Sequence, residues 1–599
     1  MGRDGMSRDA GRGGKGSAGQ RLGAAGCRVR YIGARRPAEG AVARRAAQEH
    51  HCPLYTQHPL HYLPLHYATH SMTARARAVT ACCVLWATAA LASQGVDMSA
   101  ARWRMQAREQ LTFARSSWAR AALEAASGSP HARNVVLFIG DGMGIPTVTA
   151  AGMHRAGEGT RLLFERFPFT GLSKTYSVSK QVGDSAATGT AFLTGVKTSN
   201  GVLGMDASVV AKQCPRPADA AARLTSLAGW AQAAGRAAGV VTTTRITHAT
   251  PAALYARSPH RDWECDTGLP QGCHQLDIAR QLVEEMPGME LRVVLGGGRK
   301  QLGDLAAEER DGTDDDGSCG RADGRNLTAQ WLRLPGRRHL VHTREQLLQA
   351  DLDKVDYLMG LFSAGHIPYT DARRPREHPS LVEMTQQALR LLSRHSNGYF
   401  LLVEGGRIDH GHHKNYARRA LEETLELEAA VAAALALTDP KDTLIVVTAD
   451  HSHTMSISGY PNRGTDVLGF VHNDGEEPYE TLTYANGPSF YTHRSNDTNN
   501  TWVNVMEMNR SAPTYQHFSP RYLKDETHGG EDVAVYAVGP GAYLFTGVYE
   551  QNYLAHAMAH IANIGPDAIV SSANTAHMYN FNVTALVSLL ASILLGILR

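Results

Sequence analysis

The chain has 599 residues, of which 43% are hydrophobic and 20% are charged, and its formal net charge is +3. This length and apolar content suit a globular enzyme with a sizeable core. The nearly balanced charge argues against a broad basic surface, so we expect no nucleic-acid partner. The chain has 28 histidines. Histidine is the commonest metal ligand, so the positions of these residues matter most for function.

The N-terminal part of the chain does not look like folded enzyme. Residues 1–71 are rich in Gly, Arg, Ala, His and Pro and have no apolar periodicity, which predicts disorder. Met72 opens a segment with two arginines, an apolar run and the small-residue cleavage pattern Ala-Leu-Ala. These features predict a secretory signal peptide over residues 72–92. We therefore expect translation to start at Met72, residues 1–71 to be a non-native extension, and the mature chain to begin near Ser93.

The C-terminal segment predicts a lipid anchor. An apolar tail from Ala585 to Arg599 follows a mostly polar spacer, which is preceded by the small residues Ser571, Ser572 and Ala573. This order is typical of a glycosylphosphatidylinositol signal within 571–599, whose tail is removed. A tail-anchor helix is the alternative, but the apolar run is short for it. We expect a catalytic domain over residues 93–570, anchored through the secretory pathway to the extracellular face of the plasma membrane.

Other features agree with secretion. N-glycosylation sequons occur at Asn326, Asn496, Asn499 and Asn509, and a further sequon at Asn582 falls in the removed tail. The predicted mature span contains four cysteines, Cys214, Cys265, Cys273 and Cys319. In an oxidising compartment they predict two disulfides, and the count alone leaves three pairings open.

Apolar, β-branched runs alternate with helical patterns along the predicted domain. This alternation predicts an α/β fold with a large, mostly parallel central sheet and helices on both faces. Four of the runs lead into side chains of metal-binding type. Asn134–Ile139 precedes Asp141, Gly239–Thr244 precedes His248 and Thr250, Tyr399–Val403 precedes Glu404 and Asp409, and Asp442–Val447 precedes Asp450 and His451. Ligands of such sheets bind outside the carboxyl ends of the strands, so we expect these side chains to converge.

The residue types suit two kinds of metal. Asp409 and His413 are four residues apart, so a helix would place them on one face. His528, in a loop before the strand VAVYAVG, could complete a site with them. Mixed carboxylate and imidazole sets suit zinc, whereas the oxygen set of Asp141, Thr250 and Glu404 suits magnesium.

Several of these residues are unremarkable when taken singly. Asp141 lies between glycines and could be a turn residue. His412 and His453 are expected to be ordinary core or surface histidines. The functional interpretation rests on the four strand ends together.

The segment GDSAATG raises a separate question, because Ser185 follows Asp184 and no histidine lies within ten residues of it. A serine hydroxyl is a weak nucleophile unless a base or a metal ion activates it.

Seven motifs carry a resemblance to a known family. VVLFIGDGMG, GDSAATGTAFLTGVK, VVTTTRITHATPAALYA, VVLGGGRK, VEGGRIDHGHH, VTADHSH and ETHGGEDVAV resemble the alkaline phosphatases of animals, in the family's order from Val135 to Val535. The resemblance implies hydrolysis of phosphate monoesters through a phosphoserine on Ser185. It also implies two zinc ions and one magnesium ion per subunit, and a homodimer.

The resemblance assigns a role to each matched residue. The first zinc would be held by Asp409, His413 and His528, and the second by Asp141, Asp450, His451 and Ser185. Magnesium would be held by Asp141, Thr250 and Glu404. Arg261, in SPHRDW, would clamp the phosphate with Asp184 as its brace, and His248 and His410 would lie in the shell around the metals. The small residues after Ser185 would let a helix N-terminus approach the phosphate.

The chain departs from the family pattern at several positions. Gly183 replaces the proline that usually precedes the Asp-Ser pair, which we expect to be tolerated. Ser363 and His378 stand where many animal members have acidic calcium ligands, so we do not expect calcium. The resemblance implies a Cys214–Cys273 disulfide, which leaves Cys265 for Cys319. The C-terminal disulfide of mammalian members has no counterpart.

Three alternatives remain to be weighed. A sulfatase or a phosphodiesterase of the same superfamily would share the metal ligands. However, GDSAATG lacks the sulfatase pattern C/S-x-P-x-R, and phosphodiesterases normally use a threonine nucleophile. An inactive, lipid-anchored binding protein would usually have lost metal ligands, and none of the eight assigned besides Ser185 is missing. The expected substrates are small phosphate monoesters and phosphorylated macromolecules, and the sequence leaves the physiological one open.

Overall fold

The computed structural model describes residues 100–126, 131–215, 217–304, 318–472, 477–495, 501–510, 512–566 and 568. All of them belong to the unit of the chain that begins at Met98. The predicted N-terminal extension, the signal peptide and the anchor segment 571–599 lie outside the described residues. Within the described ranges, no helix combines the length and the apolar character needed to cross a membrane.

Sixteen strands occur in the described part of the chain. They are β1 (Asn134–Gly140), β2 (Phe169–Lys174), β3 (Ala237–Arg245), β4 (Val293–Gly297), β5 (Arg338–Val341), β6 (Tyr357–Leu361), β7 (Tyr399–Gly405), β8 (Thr443–Ala449), β9 (Ser452–His453), β10 (Met455–Ile457), β11 (Phe470–Val471), β12 (Tyr479–Glu480), β13 (Leu482–Tyr484), β14 (His528–Gly529), β15 (Val533–Val538) and β16 (Gly547–Glu550).

The α-helices of the same residues are α1 (Ala100–Ala126), α2 (Ile145–Ala156), α3 (Ser185–Thr194), α4 (Leu227–Ala233), α5 (Ala249–Ala252), α6 (Ile278–Glu284), α7 (Arg299–Leu302), α8 (Leu327–Leu332), α9 (Arg344–Gln349), α10 (Leu381–Leu392), α11 (Arg407–His413), α12 (Ala417–Leu437) and α13 (Tyr553–Ala562).

Ten strands form one central sheet in the order β16-β2-β15-β8-β1-β7-β3-β4-β6-β5. The pairings are parallel except at β15, which runs antiparallel to both β2 and β8. The central strands are apolar on both faces because the sheet separates two hydrophobic cores. In β1, Val135 and Leu137 pack into one core, whereas Val136 and Phe138 pack into the other. Helix α13 contributes to the first core and helices α10 and α12 to the second, so helices cover both faces. The predicted α/β fold with a mostly parallel sheet is confirmed.

The four strands predicted to carry functional side chains are neighbours in the order β8-β1-β7-β3. Each extends to within a few residues of its predicted end. Because the four run parallel, their carboxyl ends meet at one edge, where Gly140 of β1 pairs with Gly405 of β7 and with Ala449 of β8. This order brings together segments that are more than 200 residues apart in the chain.

A short antiparallel bridge adds a fifth segment to the same edge. β14 pairs with β9, and His528 lies opposite His453. Since only two residues separate the end of β8 from the start of β9, this pairing carries His528 to the edge where the four strands end.

Candidate active site

Ser185 is the first residue of helix α3, and its side chain is buried beside two predicted metal ligands. Its Oγ lies 3.4 Å from Oδ1 of Asp141 and 3.3 Å from Nε2 of His451. Asp184 is the N-cap of the helix, and its Oδ1 accepts a hydrogen bond from the Ala187 amide at 3.1 Å. The helix therefore presents its N-terminus, which favours anions, at the nucleophile.

The residues predicted to hold the first zinc converge from α11 and β14. Nε2 of His413 lies 3.3 Å from Oδ2 of Asp409, and Nε2 of His528 lies 3.5 Å from Oδ1 of the same carboxylate. The two Nε2 atoms are 3.3 Å apart. One cation between these atoms could be bound by all three side chains.

The tautomers of the three predicted zinc-binding histidines suit metal binding. In each ring Nδ1 contacts a backbone carbonyl oxygen, and only an N–H can make that hydrogen bond. His413 donates to the carbonyl of Glu526, His528 to Gly183 at 3.0 Å, and His451 to Ser452 at 3.2 Å. A neutral imidazole that carries its hydrogen on Nδ1 leaves the lone pair of Nε2 free to bind a metal.

The second predicted set is built around Asp450 and the turn after β1. Nε2 of His451 lies 3.2 Å from Oδ2 of Asp450 and 3.5 Å from Oδ1 of Asp141. The Gly142 amide donates to Oδ1 of Asp450 at 3.0 Å and fixes that carboxylate. Gly142 has φ +69°, and a Cβ there would lie 2.4 Å from the His453 ring. Only glycine fits this turn without displacing its neighbours.

The third predicted set supplies oxygen ligands. Thr250 Oγ1 lies 3.5 Å from Oδ2 of Asp141. Oε2 of Glu404 accepts hydrogen bonds from Thr242 and, at 3.1 Å, from Thr244, whereas its Oε1 is buried and has no hydrogen-bond partner among the residues that the structure describes. A buried, unpaired carboxylate oxygen beside other oxygens fits a hard divalent cation.

The charges of the site also fit metal ions. Burial raises the pKa of Asp141 well above its usual range, and Asp450 and Asp409 raise it further. Burial likewise raises the pKa of Asp450, and it raises that of Glu404 to about 7. Burial, and for Asp141 also the neighbouring negative charges, disfavours the ionised form of these carboxylates. A divalent cation would supply that charge, so the donor types, the tautomers and the charge all fit the predicted metals.

Arg261, the predicted phosphate-binding arginine, lies beside Asp184, the residue that precedes Ser185. Its Nη1 donates to Oδ2 of Asp184 at 3.3 Å and its Nη2 to Nε2 of His248 at 3.0 Å. Burial opposes its charge, but Asp184 and Asp141 outweigh that effect and raise the pKa of the guanidinium. Asp184 thus braces a permanently charged, planar donor that can bind two phosphoryl oxygens.

Sequence reasoning missed the role of His453, which is fully buried inside the first ligand set. Its Nε2 donates to Oδ1 of Asp409 at 2.7 Å, and its Nδ1 donates to Glu526. Burial opposes protonation, but Glu526 and Asp409 raise the pKa of His453 to about 10. Because its two nitrogens face the carboxylates of Asp409 and Glu526, His453 orients Asp409 within this group of possible metal ligands. The sequence did contain a hint of this role. His453 lies two residues after the predicted ligand His451, and its partner Glu526 lies two residues before the predicted ligand His528.

The expectation for His412 fits the structure, where the ring is a core residue between Thr147 and Tyr484. His410 receives a hydrogen bond from Arg407, and its ring faces His248 and His366. His248 also brings a ring nitrogen close to Asp141 and Glu404.

The structure also describes several of the other positions that the sequence singled out. Gly183 packs so tightly that a Cβ would lie 2.5 Å from the Thr175 carbonyl oxygen. Ser363 and His378, at the expected calcium positions, are both buried. Disulfides join Cys214 to Cys273 and Cys265 to Cys319, the pairs that the resemblance implies. Asn326 and Asn509 are exposed, whereas Asn496, Asn499, Ser571, Ser572 and Ala573 lie outside the described residues.

Comparisons with known proteins agree with this geometry. The family model for alkaline phosphatase matches residues 132–564. The chain is 49% identical to alkaline phosphatase 4 of Drosophila melanogaster, over 73% of this chain and 77% of the relative. It is 42% identical to the membrane-bound alkaline phosphatase of Bombyx mori, over 73% of this chain and 81% of the relative. The alkaline phosphatase of the Antarctic bacterium TAB5 shares the fold, with a TM-score of 0.52 and 22% identity, over 73% of this chain and 100% of that structure.

Proposed function

The chain belongs to the alkaline phosphatase family, and from that premise we propose that it hydrolyses phosphate monoesters through a phosphoserine formed on Ser185. Two zinc ions and one magnesium ion per subunit would assist the reaction. The observation that carries the proposal is the position of the Ser185 Oγ, which lies within 3.4 Å of both Asp141 and His451. No histidine base is needed if the nucleophile lies beside a metal site.

Three sets of residues would hold the metals. Asp409, His413 and His528 would hold the first zinc, Asp141, Asp450 and His451 the second, and Asp141, Thr250 and Glu404 the magnesium. When bound, the metals would supply Lewis-acid chemistry that lowers the pKa of the serine hydroxyl and of water and stabilises negative charge on the leaving oxygen.

The residues of the chain position the substrate for two balanced steps. Arg261 donates to phosphoryl oxygens, and the N-terminus of α3 favours their negative charge. The Ser185 Oγ forms a bond to phosphorus as the ester P–O bond breaks, and the departing alcohol takes up a proton. Water then attacks the phosphoserine, which releases inorganic phosphate and restores the Ser185 hydroxyl.

A single substitution tests the covalent step. Ser185→Ala should abolish turnover of p-nitrophenyl phosphate while zinc content stays near normal, because the histidine and carboxylate ligands remain. Ser179→Ala, on the exposed loop before the motif, is the matched control and should keep full activity. Turnover by Ser185→Ala at the wild-type rate would overturn the phosphoserine mechanism.

A metal experiment tests the ligand assignment. Treatment with a chelator should remove activity, and zinc together with magnesium should restore it. Restoration by magnesium alone would contradict the two zinc sites.

We further propose that the enzyme is a homodimer on the outer face of the plasma membrane, held by a glycosylphosphatidylinositol anchor. The small-residue, spacer and tail pattern supports the anchor, and a relative of the chain is named membrane-bound. Phospholipase C specific for phosphatidylinositol should release activity from intact cells. Activity that stays with the cells would argue for a protein anchor.

A further inference from the structure

His366 is a buried residue that no motif and no proposed metal site uses. It lies in the loop after β6 and is 4% exposed. The amide of the next residue, Ile367, donates to the carbonyl of Thr243 in β3 at 3.0 Å. The loop is therefore tied to the strand that leads to His248.

The His366 ring packs against two histidines, one of which contacts Arg261. Its centroid lies 4.3 Å from that of His410 and 5.4 Å from that of His248, and the latter two are 5.5 Å apart. The three rings thus contact one another as a cluster. His248 in turn accepts the hydrogen bond from Nη2 of Arg261 at 3.0 Å.

Arg245 holds His366 in place. The Arg245 amide donates to Nδ1 of His366 at 3.1 Å, and the Arg245 guanidinium faces Nε2. That guanidinium is itself fixed by Glu264, which accepts from its Nε at 2.9 Å and from its Nη2 at 2.8 Å. The backbone amide can only donate, so Nδ1 of His366 accepts, and protonation of Nδ1 would remove that acceptor. Burial lowers the pKa of His366, and Arg245 lowers it further, so the ring stays neutral.

We propose that His366 is a positioning residue for phosphate binding. It supports the rings of His410 and His248, so that His248 keeps the Arg261 guanidinium in its orientation beside Asp184. The inference rests on the proposed role of Arg261. Removal of the ring would leave a cavity, and the side chains around such a cavity relax partway into it. We therefore expect His248 and His410 to shift. The Arg261 guanidinium would then lose one of the two partners that orient it.

The test measures binding of inorganic phosphate as a competitive inhibitor of the metal-loaded enzyme. In His366→Ala, we expect the inhibition constant for phosphate to rise about tenfold, the size of effect expected when one hydrogen bond to a charged group is weakened. We expect kcat to change less, and zinc and magnesium contents to stay at wild-type levels. A merely structural role would lower the thermal midpoint without moving the inhibition constant.

His378→Ala is the matched control. His378 is also 4% exposed, and its Nδ1 likewise accepts an arginine amide, that of Arg374 at 3.0 Å. It should lose stability but keep the wild-type inhibition constant. If His366→Ala does not fold, His366→Asn keeps an acceptor near Nδ1 while removing most of the ring, and it should still weaken phosphate binding.

Arg261→Ala separates the two proposals. Weak phosphate binding in Arg261→Ala, together with wild-type binding in folded His366→Ala or His366→Asn, would overturn the role of His366 alone. Wild-type phosphate binding in Arg261→Ala would overturn the premise and the inference together.

Discussion

Nε2 of His453 donates a hydrogen bond to Oδ1 of Asp409 at 2.7 Å. The same imidazole donates through Nδ1 to the carboxylate of Glu526, and the Glu526 backbone carbonyl accepts from His413. Glu526 therefore orients two proposed zinc ligands, one through its side chain and one through its backbone. It is also two residues from the third ligand, His528.

Glu526→Gln should weaken zinc retention because a neutral amide no longer holds His453 as a cation against Asp409. We expect a loss of about tenfold to a hundredfold in zinc affinity, the usual effect of removing such a support. Zinc content measured against increasing chelator checks this. Asp525→Asn is the neighbouring control. Asp525 forms an exposed ion pair with Lys414, so this variant should retain zinc normally. Equal zinc retention in the two variants would contradict the support role of Glu526.

Gly142→Ala should disturb both proposed zinc sets. The added Cβ would lie 2.4 Å from the His453 ring, and the amide of Gly142 holds Asp450. We expect a large loss of phosphatase activity and of bound zinc. Gly324→Ala isolates the backbone strain, because Gly324 has φ +75° and its Cβ would meet nothing within 4 Å. That variant should cost about 1 kcal/mol of stability and keep its zinc. Activity and zinc measured in parallel would show whether the two variants differ as expected.

The two oxygens of Asp184 have separable roles. Oδ1 accepts from the amides of Ala187 and Gly201 at 3.1 and 3.0 Å, whereas Oδ2 accepts from Arg261. Asp184→Asn can keep the Oδ1 contacts but places an amide donor against the guanidinium. It should therefore raise KM for p-nitrophenyl phosphate with little change in Tm. Asp184→Ala should also lose the helix cap, about 1 kcal/mol of stability. A normal KM in Asp184→Asn would show that Arg261 needs no brace.

The metal-free enzyme should lose stability as the pH rises from about 4.5 to above 7. Glu404 has a pKa of about 7 when folded, against 4.5 for an ordinary glutamate. Its protonated form stabilises the fold below the unfolded pKa, and this contribution, on the order of 3 kcal/mol, is lost as the pH rises through the folded pKa. Glu404→Gln should remove this dependence, and magnesium should suppress it in the wild type.

Glu423 provides the control for that pH series. Burial also raises its pKa to about 7, but it lies outside the site and accepts from the Thr370 amide at 2.7 Å. Glu423→Gln should remove its own share of the pH dependence, and that share should not respond to magnesium. Unfolding in urea across the pH range, with and without magnesium, measures both. A Glu404 contribution that magnesium leaves unchanged would place the cation elsewhere.

The amino-acid sequence determined the local parts of this enzyme. The apolar, β-branched runs predicted β1, β3, β7 and β8 nearly to their ends, because burial on both faces of a sheet leaves a readable local pattern. The four-residue spacing of Asp409 and His413 predicted their common face on α11. The residue types alone pointed to a mixed set of metals.

Tertiary structure decided which distant segments meet. The neighbouring order β8-β1-β7-β3 places four strand ends together, and the bridge between β14 and β9 brings His528 to Gly183, 345 residues away in the chain. No local periodicity encodes such contacts, since each depends on the packing of the whole sheet. The same packing gave His453, Glu526 and His366 their neighbours. Their roles follow from their neighbours in space, which the residues next to them in the chain do not reveal.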